Sequence, residues 1–241
     1  MRGQPVHLRA KPGEVARLVV TAGDPARVEQ LAKLLRNARL VNTNRGFTAY
    51  TGIYAGRGVT VAAHGIGGPS SAVVFEELHM LGAKVIVRLG TAGGMIRELD
   101  RGDLVVPTGA AYNEGSLRMY VPDGMLPALP DLGLTVGIIE RCKAEGVKYL
   151  PGIVFSSDAF YAEDRAFVAK WSKRGVVAVE MECATLFTLG LLRGFKTASL
   201  LVVSDNLAAG SQQAMAKPEE LAASVDRGAR IVLDALTKDR R

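Results

Sequence analysis

Cysteine is almost missing from this chain: among 241 residues there are two, Cys142 and Cys183. They stand far apart in no C-x-x-C pairing, which argues against a disulfide scaffold and a cysteine metal centre. Histidine is equally scarce, and His7, His64 and His79 fall at no metal-ligand spacing, so no metal site is expected. Aromatic residues make up 6% and tryptophan occurs once, too few for a platform on which single-stranded nucleic acid stacks. No apolar run is long enough to span a bilayer, and no N-terminal stretch resembles a signal peptide. These absences point to a cytoplasmic protein with reduced thiols that engages neither membrane nor nucleic acid. The formal charge of +6 fits that expectation, because the basic residues are scattered among acidic ones rather than clustered. Only the tail Lys238-Asp239-Arg240-Arg241 looks basic, and it reads as a solvated end. A small anionic substrate accounts for the excess charge.

What is present is an apolar content of 48% with 22% charged residues, enough for a substantial core. There is no internal repeat, low-complexity tract or linker, so residues 1–241 read as one domain. Leu18-Val19-Val20 looks like a strand running into Gly23-Asp24-Pro25, where Asp24 can cap and Pro25 can open a helix ending near Arg36. Residues 48–54 and 59–63, broken by Gly56-Arg57-Gly58, read as a hairpin. A helix is expected at 70–81, then a hydrophobic strand at 84–89 that ends in the turn Gly90-Thr91-Ala92-Gly93-Gly94. Residues 112–131 show no clear period and read as a long ordered loop. Further elements are a helix at 132–145, strands near 152–155, 178–179 and 198–203, and a helix from Glu182 to about Arg193. Leu221, Val225, Ala229, Val232 and Leu236 mark one face of a last helix. Strands alternating with helices favour an α/β sandwich around a mostly buried sheet, with function gathered beyond the strand carboxyl ends.

Three arginines lie beside glycine turns or strand ends: Arg27 in Gly23-Asp24-Pro25-Ala26-Arg27, Arg45 in Asn44-Arg45-Gly46, and Arg88 in Arg88-Leu89-Gly90-Thr91. A guanidinium is a permanent charge with a planar fork of donors, well matched to phosphate. The neighbouring glycines allow close backbone approach, and Thr91 adds a hydroxyl. Singly, each arginine would serve as a surface ion-pair residue; jointly, they suggest an anion held between them. Glu180 and Glu182 flank Met181 after an apolar strand. They either favour a helix start or leave one carboxylate, Glu182, to accept from a vicinal diol. Asp205, next to Ser204 at a strand end, either caps the next segment or floors a pocket where it could give a proton. Phe160 and Tyr161 are either core aromatics or a wall for a planar base. His7 reads as a surface histidine. Gly65-Ile66-Gly67-Gly68-Pro69-Ser70 falls short of a dinucleotide fingerprint and reads as a tight turn packed near the site.

Taken in order, His7, Gly-Asp-Pro-x-Arg, Asn-Arg-Gly-Phe, His-Gly-Ile-Gly-Gly-Pro-Ser, Arg-Leu-Gly-Thr-Ala-Gly, Ser-Ser-Asp-Ala-Phe-Tyr, Val-Glu-Met-Glu and Val-Ser-Asp-Asn resemble the hexameric purine nucleoside and uridine phosphorylase family. The resemblance spans nearly the whole chain. It implies a single-domain three-layer α/β/α sandwich with a mixed, partly barrel-like sheet. It implies that Gly23, Arg27, Arg88 and Thr91 bind phosphate, with Arg45 and His7 reaching in from a neighbouring subunit, His7 toward the 5′ position. Glu180, Met181 and Glu182 would hold the ribose, and Phe160, Ser204 and Asp205 would meet the base, Asp205 and Arg88 being catalytic. Phosphate would be a co-substrate, with no cofactor, in a homohexamer built as a trimer of dimers.

Two departures bear on specificity. The assisting arginine of the bacterial purine type has only Lys217 to stand for it. The Gln-x-Arg pair that reads uracil is absent, the residues after Tyr161 being Ala162-Glu163-Asp164-Arg165. Purine nucleosides, including 5′-methylthioadenosine, are therefore the expected substrates. A uridine phosphorylase, a same-fold hydrolytic nucleosidase and a non-catalytic nucleoside sensor are the alternatives.

Overall fold

Among the described residues nine strands, β1 (Leu18–Ala22), β2 (Arg36–Asn42), β3 (Ala49–Tyr54), β4 (Arg57–Ala63), β5 (Val85–Gly94), β6 (Leu104–Tyr112), β7 (Tyr149–Ser156), β8 (Val176–Glu180) and β9 (Lys196–Asn206), form one mixed sheet. Its order is β2-β3-β4-β1-β5-β8-β7-β6-β9, and β9 pairs back onto β5. The computed structural model describes residues 4–113, 115–162, 164–209 and 215–238. The basic tail beyond Lys238, Glu163, and part of the stretch between Asp205 and Lys217 lie outside them. In the open half, β1 (Leu18–Ala22) runs parallel to both β4 (Arg57–Ala63) and β5 (Val85–Gly94). The expected hairpin is present. β3 (Ala49–Tyr54) pairs antiparallel with β4 through the two-residue loop Ala55-Gly56, both at positive φ (46° and 78°). Two successive left-handed residues make the tight connection that matches strand twist.

The closed half is a ring of five strands: β5, β8 (Val176–Glu180), β7 (Tyr149–Ser156), β6 (Leu104–Tyr112) and β9 (Lys196–Asn206). β5 makes this possible by its length of ten residues. The expectation of a turn at residues 90–94 is corrected here, because those residues continue the strand. Gly93 pairs with Val179 on one side and Asp205 on the other, and Gly94 with Ala178 and Asn206. Ladder bonds from both neighbours override the turn preference of the glycines.

Helices cover both faces. α1 (Pro25–Ala32), α4 (Leu132–Ala144) and α7 (Pro218–Thr237) build one core with Val28, Leu31, Ile138, Leu221 and Val225. α2 (Gly67–Met80) and α6 (Cys183–Arg193) build the other with Phe75, Leu78, Leu186 and Phe187. The result is a three-layer α/β/α sandwich with a partly closed mixed sheet. Leu221, Val225, Ala229, Val232 and Leu236 are all buried, as their period requires. α1 begins as expected, Asp24 accepting the Ala26 N–H at 2.8 Å with Pro25 in the first turn. It does not reach Arg36, which opens β2 (Arg36–Asn42), an edge strand antiparallel to β3. Residues 112–131 are not one loop either, since α3 (Gly115–Tyr120) lies within them and Ala110 bridges Ala128. α5 (Arg165–Ser172) packs Phe167 and Trp171 against Phe155. Among the described residues no helix is long and apolar enough to cross a membrane.

Candidate active site

Strand pairing collects the charged residues. Arg88 lies inside β5 opposite Thr21 of β1. β8 is antiparallel to β5, so the chain leaving β8 at Glu180 heads back along β5 toward Arg88. Met181 and Glu182 follow before α6 begins at Cys183. Two carboxylates distant in sequence therefore meet one guanidinium.

Arg88, Glu180 and Glu182 are all buried. Arg88 Nη2 donates to Glu182 Oε2, and Nη1 lies 3.2 Å from Glu180 Oε2 and 3.8 Å from Cys183 Sγ. Gly67, at the first turn of α2, donates its N–H to the other oxygen of Glu182 at 2.7 Å. Glu180 is held from its far side: the Ser156 hydroxyl donates to Oε1, and the N–H groups of Glu182 and Cys183 donate to Oε2 at 2.9 Å each. Burial alone would disfavour the charge on Arg88, but Glu182 and Glu180 outweigh it and hold its pKa above the ordinary value. The same balance keeps Glu182 low: burial opposes ionisation, while Arg88, His64 and the Gly67 N–H more than offset it. The guanidinium folds back across Gly90, where a β-carbon would lie within 2.7 Å of Nη2 and closer still to Cζ and Nη1. Glycine at position 90 is what leaves room for this pose.

Arg27 is close enough to feel this charge. Burial first, and then the like charge of Arg88, push its pKa down, with Asp24 opposing. Two guanidinia in mutual repulsion, with Arg88 Nε buried and unpartnered among the described residues, form a site suited to an anion. His64 completes the group. It is wholly buried, its ring is tilted 5.4 Å from Phe75, and neither ring nitrogen has a hydrogen-bond partner among the described residues. Burial drives its pKa down to about 4, against the pull of Glu182 and with the push of Arg88. A β-carbon on Gly23 would touch the Gly65 carbonyl at 3.0 Å and His64 Cε1 at 3.6 Å, so Gly23 lets these turns pack together.

The remaining expected residues fall into two places. Thr91, three residues after Arg88 on β5, and Met181, between Glu180 and Glu182, are half-buried. Asp205 is half-buried rather than enclosed, with the Ser204 hydroxyl 2.6 Å from its Oδ1 and 3.2 Å from the Ala92 carbonyl. Phe160 is 47% exposed and forms no part of a core. Arg45 follows the edge strand β2, in the turn whose Asn44 also holds His7. Arg45 is exposed and left-handed (φ 56°). The Asn44 side chain donates to the His7 carbonyl at 2.9 Å. An open groove of about 380 Å³ lies next to them, lined by Arg9, Leu40 and residues 41–44.

Sequence reasoning missed His64, Ser156 and Asn206. Ser156 orients Glu180. Asn206 fixes the end of β9 by donating to the Ile96 carbonyl at 3.0 Å and accepting the Ala208 and Ala209 N–H groups. All three lie inside the motifs already noted or directly beside them. Their position at strand ends was the available signal. Among the described residues no group of three or more His, Cys, Asp or Glu is arranged to hold a metal ion.

A closed ring joined to an open sheet, with arginines and carboxylates collected where β1, β5 and β8 meet, defines an α/β protein with a buried charged cluster. The profile of the phosphorylase superfamily matches residues 17–237, and the chain belongs to that family. It is similar to a guanosine phosphorylase of Halorubrum lacusprofundi, 34% identical over 98% of this chain and 99% of the relative. A uridine phosphorylase of Thermococcus kodakarensis is 35% identical, over 85% of this chain and 78% of the relative. A DeoD-type purine nucleoside phosphorylase of Proteus mirabilis is 33% identical, over 86% and 87%. Among solved structures, a uridine phosphorylase of Vibrio fischeri superposes with a TM-score of 0.88 at 30% identity, covering 98% of each chain. The chain is thus an enzyme of the glycosyl-transferring phosphorylase type.

Proposed function

We propose that this enzyme cleaves the N-glycosidic bond of purine nucleosides with inorganic phosphate, giving free base and ribose 1-phosphate. The observation that carries the reading is the buried Arg88, shared between Glu180 and Glu182, with the like charge of Arg27 beside it. Phosphate relieves the repulsion between Arg27 and Arg88, and Gly23 and Thr91 add donors to it. Glu182 takes the ribose hydroxyls, steadied by the Gly67 N–H, while Met181 covers the sugar.

In the reaction a phosphate oxygen forms a bond to C1′ as the C1′–N9 bond breaks. The bonding pair leaves with the base, and Asp205 donates a proton to N7, so the base departs neutral. Positioning by Glu182 and the arginines turns an encounter into an oriented step, and acid assistance of this kind is worth about 10²–10⁴-fold. Phe160 and Ser204 flank the base. Arg45 and His7 complete the site of a neighbouring copy, which calls for a homodimer and, three at a time, a hexamer. Phosphate is a co-substrate and no cofactor is used. Cys142 and Cys183 as free, buried thiols suit the cytoplasm, and the activity suits purine salvage.

Inosine, guanosine, adenosine and 5′-methylthioadenosine are the intended substrates. Uridine is the second reading, favoured by the relatives and the solved structure that carry that name. Incubating each nucleoside with and without phosphate, and measuring released base, tests both. Purine release that requires phosphate is the expected result. Release of uracil alone would install the second reading, release without phosphate would make the enzyme a hydrolase, and binding without release would make it a sensor.

A further inference from the structure

Glu77, on α2, is a buried carboxylate that the mechanism above does not use. Its Oε1 accepts the Val6 N–H at 3.0 Å and lies 2.8 Å from His7 Nδ1. Its Oε2 accepts the His7 N–H at 2.9 Å and the Leu8 N–H at 2.6 Å. One side chain therefore clamps three successive backbone amides and an imidazole. On the other side, Asn44 holds the His7 carbonyl, and the Phe47 ring meets the His7 ring edge-on at 6.3 Å. The His7 ring itself remains 27% exposed.

An ionised carboxylate offers only lone pairs, so Nδ1 must be the atom that carries the hydrogen. Burial would raise the pKa of Glu77, but the Leu8 N–H, the His7 ring and the Val6 and His7 N–H groups outweigh it and keep it low. Neutral His7 then has one free nitrogen, Nε2, and that nitrogen is an acceptor. A hydroxyl can donate to it. A thioether or a methyl group cannot.

We propose that Glu77 is a positioning residue that locks His7 with Nε2 as a hydrogen-bond acceptor, so that the enzyme prefers nucleosides bearing a 5′-hydroxyl over 5′-deoxy or 5′-methylthio ones. The inference rests on the phosphorolysis proposed above and on His7 reaching the 5′ position of a neighbouring site. It narrows that reading, because 5′-methylthioadenosine becomes a poor substrate rather than an equal one.

The test compares kcat/KM, in saturating phosphate, for inosine against 5′-deoxyinosine and adenosine against 5′-methylthioadenosine, with uridine against 5′-deoxyuridine if uracil is the base. Wild type is expected to favour the hydroxyl by about tenfold, the worth of one well-placed hydrogen bond and its unpaired acceptor. His7→Leu removes the acceptor but leaves the backbone amides on Glu77, and its ratio is expected to fall to about one. Glu77→Gln frees the ring to adopt the other tautomer and is expected to lower the ratio likewise. The double variant is expected to show no further fall, because Glu77 acts through His7. A Glu77 that only braces the fold would depress both substrates of a pair equally and leave the ratio intact, and that result overturns the proposal. So does a wild-type enzyme that is indifferent to the 5′ substituent or prefers methylthio, while the functional reading survives. Absence of phosphorolysis on every nucleoside overturns the functional reading, and this inference with it.

Discussion

Arg88 and Glu182 hold each other through an ion pair in which both side chains are almost fully buried, at 5% and 6% exposure. Such a pair is a weak source of stability when intact, yet removal of one partner leaves a buried charge uncompensated. Arg88→Leu strands two carboxylates, Glu182 and Glu180. The expected loss is roughly 3–5 kcal/mol of folding stability, together with phosphate-dependent turnover. Arg88→Lys keeps the charge but replaces a fork with a single ammonium, which cannot span both carboxylates. It should be the more stable of the two and still poor in phosphate binding. Urea unfolding of both variants, alongside a phosphate titration of base release, checks this. A leucine variant as stable as wild type would show that the pair does not shape the site.

Gly90 ties the pose of Arg88 to both fold and function. The space its missing β-carbon leaves is filled by the Arg88 guanidinium, the mobile end of a flexible side chain. Gly90→Ala is therefore expected to move the guanidinium rather than the backbone. Stability should fall by about 1–3 kcal/mol, the cost of overpacking, while KM for phosphate rises about tenfold or more as Arg88 is drawn from its place. Steady-state kinetics with varied phosphate, next to a thermal melt, would decide. An unchanged KM would mean that the pose of Arg88 over Gly90 is irrelevant to anion binding.

How much of this could be read from the chain differs by element. Apolar strands at the sheet centre, such as those ending at Ala22 and Asn206, were legible because burial on both faces demands continuous hydrophobic runs. The edge strand β2 was not. It is exposed along five of its seven residues and carries no period for a reader to find. Residues 90–94 were misread because glycines advertise a turn, while their strand character comes from partners more than eighty residues away. In the site, Arg27, Arg88, Glu180 and Glu182 were legible as charges beside strand ends. Their contact with one another was not, since the antiparallel return of β8 along β5 is a tertiary fact. His64 escaped notice because a lone histidine after an apolar strand looks like any core histidine. Only the neighbouring arginines and Glu182 give it meaning.

Asp205 is the last residue but one of β9, at a point where β5 and β9 run side by side, Gly93 opposite it. The Ser204 hydroxyl and the Asn206 anchor on either side fix the carboxyl without enclosing it. If it gives a proton to the leaving base, Asp205→Asn keeps the shape and loses the proton. Turnover on inosine should drop about a hundredfold or more, with little change in KM for phosphate, because Arg27 and Arg88 are untouched. A base whose anion leaves easily should suffer far less. Near-normal turnover of the variant on inosine would remove Asp205 from the acid role.

His64 makes a prediction about acid sensitivity that is independent of catalysis. Its pKa is lowered to about 4 by burial, with Arg88 adding to the effect and Glu182 and the Gly65 backbone opposing it. In the unfolded chain a histidine titrates near 6.5. Above that value the ring is neutral in both states and stability does not depend on it. As pH falls from about 6.5 to about 4, the unfolded chain takes up a proton that the folded one refuses, so stability declines. The full loss is roughly 3 kcal/mol and is complete once pH is below the folded value. His64→Phe keeps a ring against Phe75 and removes the titration. Glu77, also held low, is common to both proteins and cancels in the comparison, while Glu182 gives up the pull of His64 and keeps the larger one of Arg88. Urea unfolding at pH 7 and pH 4.5 should therefore show wild type losing about 2–3 kcal/mol more than the variant. Parallel losses in the two proteins would mean that His64 finds a partner on protonation, and that the pocket around Arg88 is less closed to water than its burial indicates.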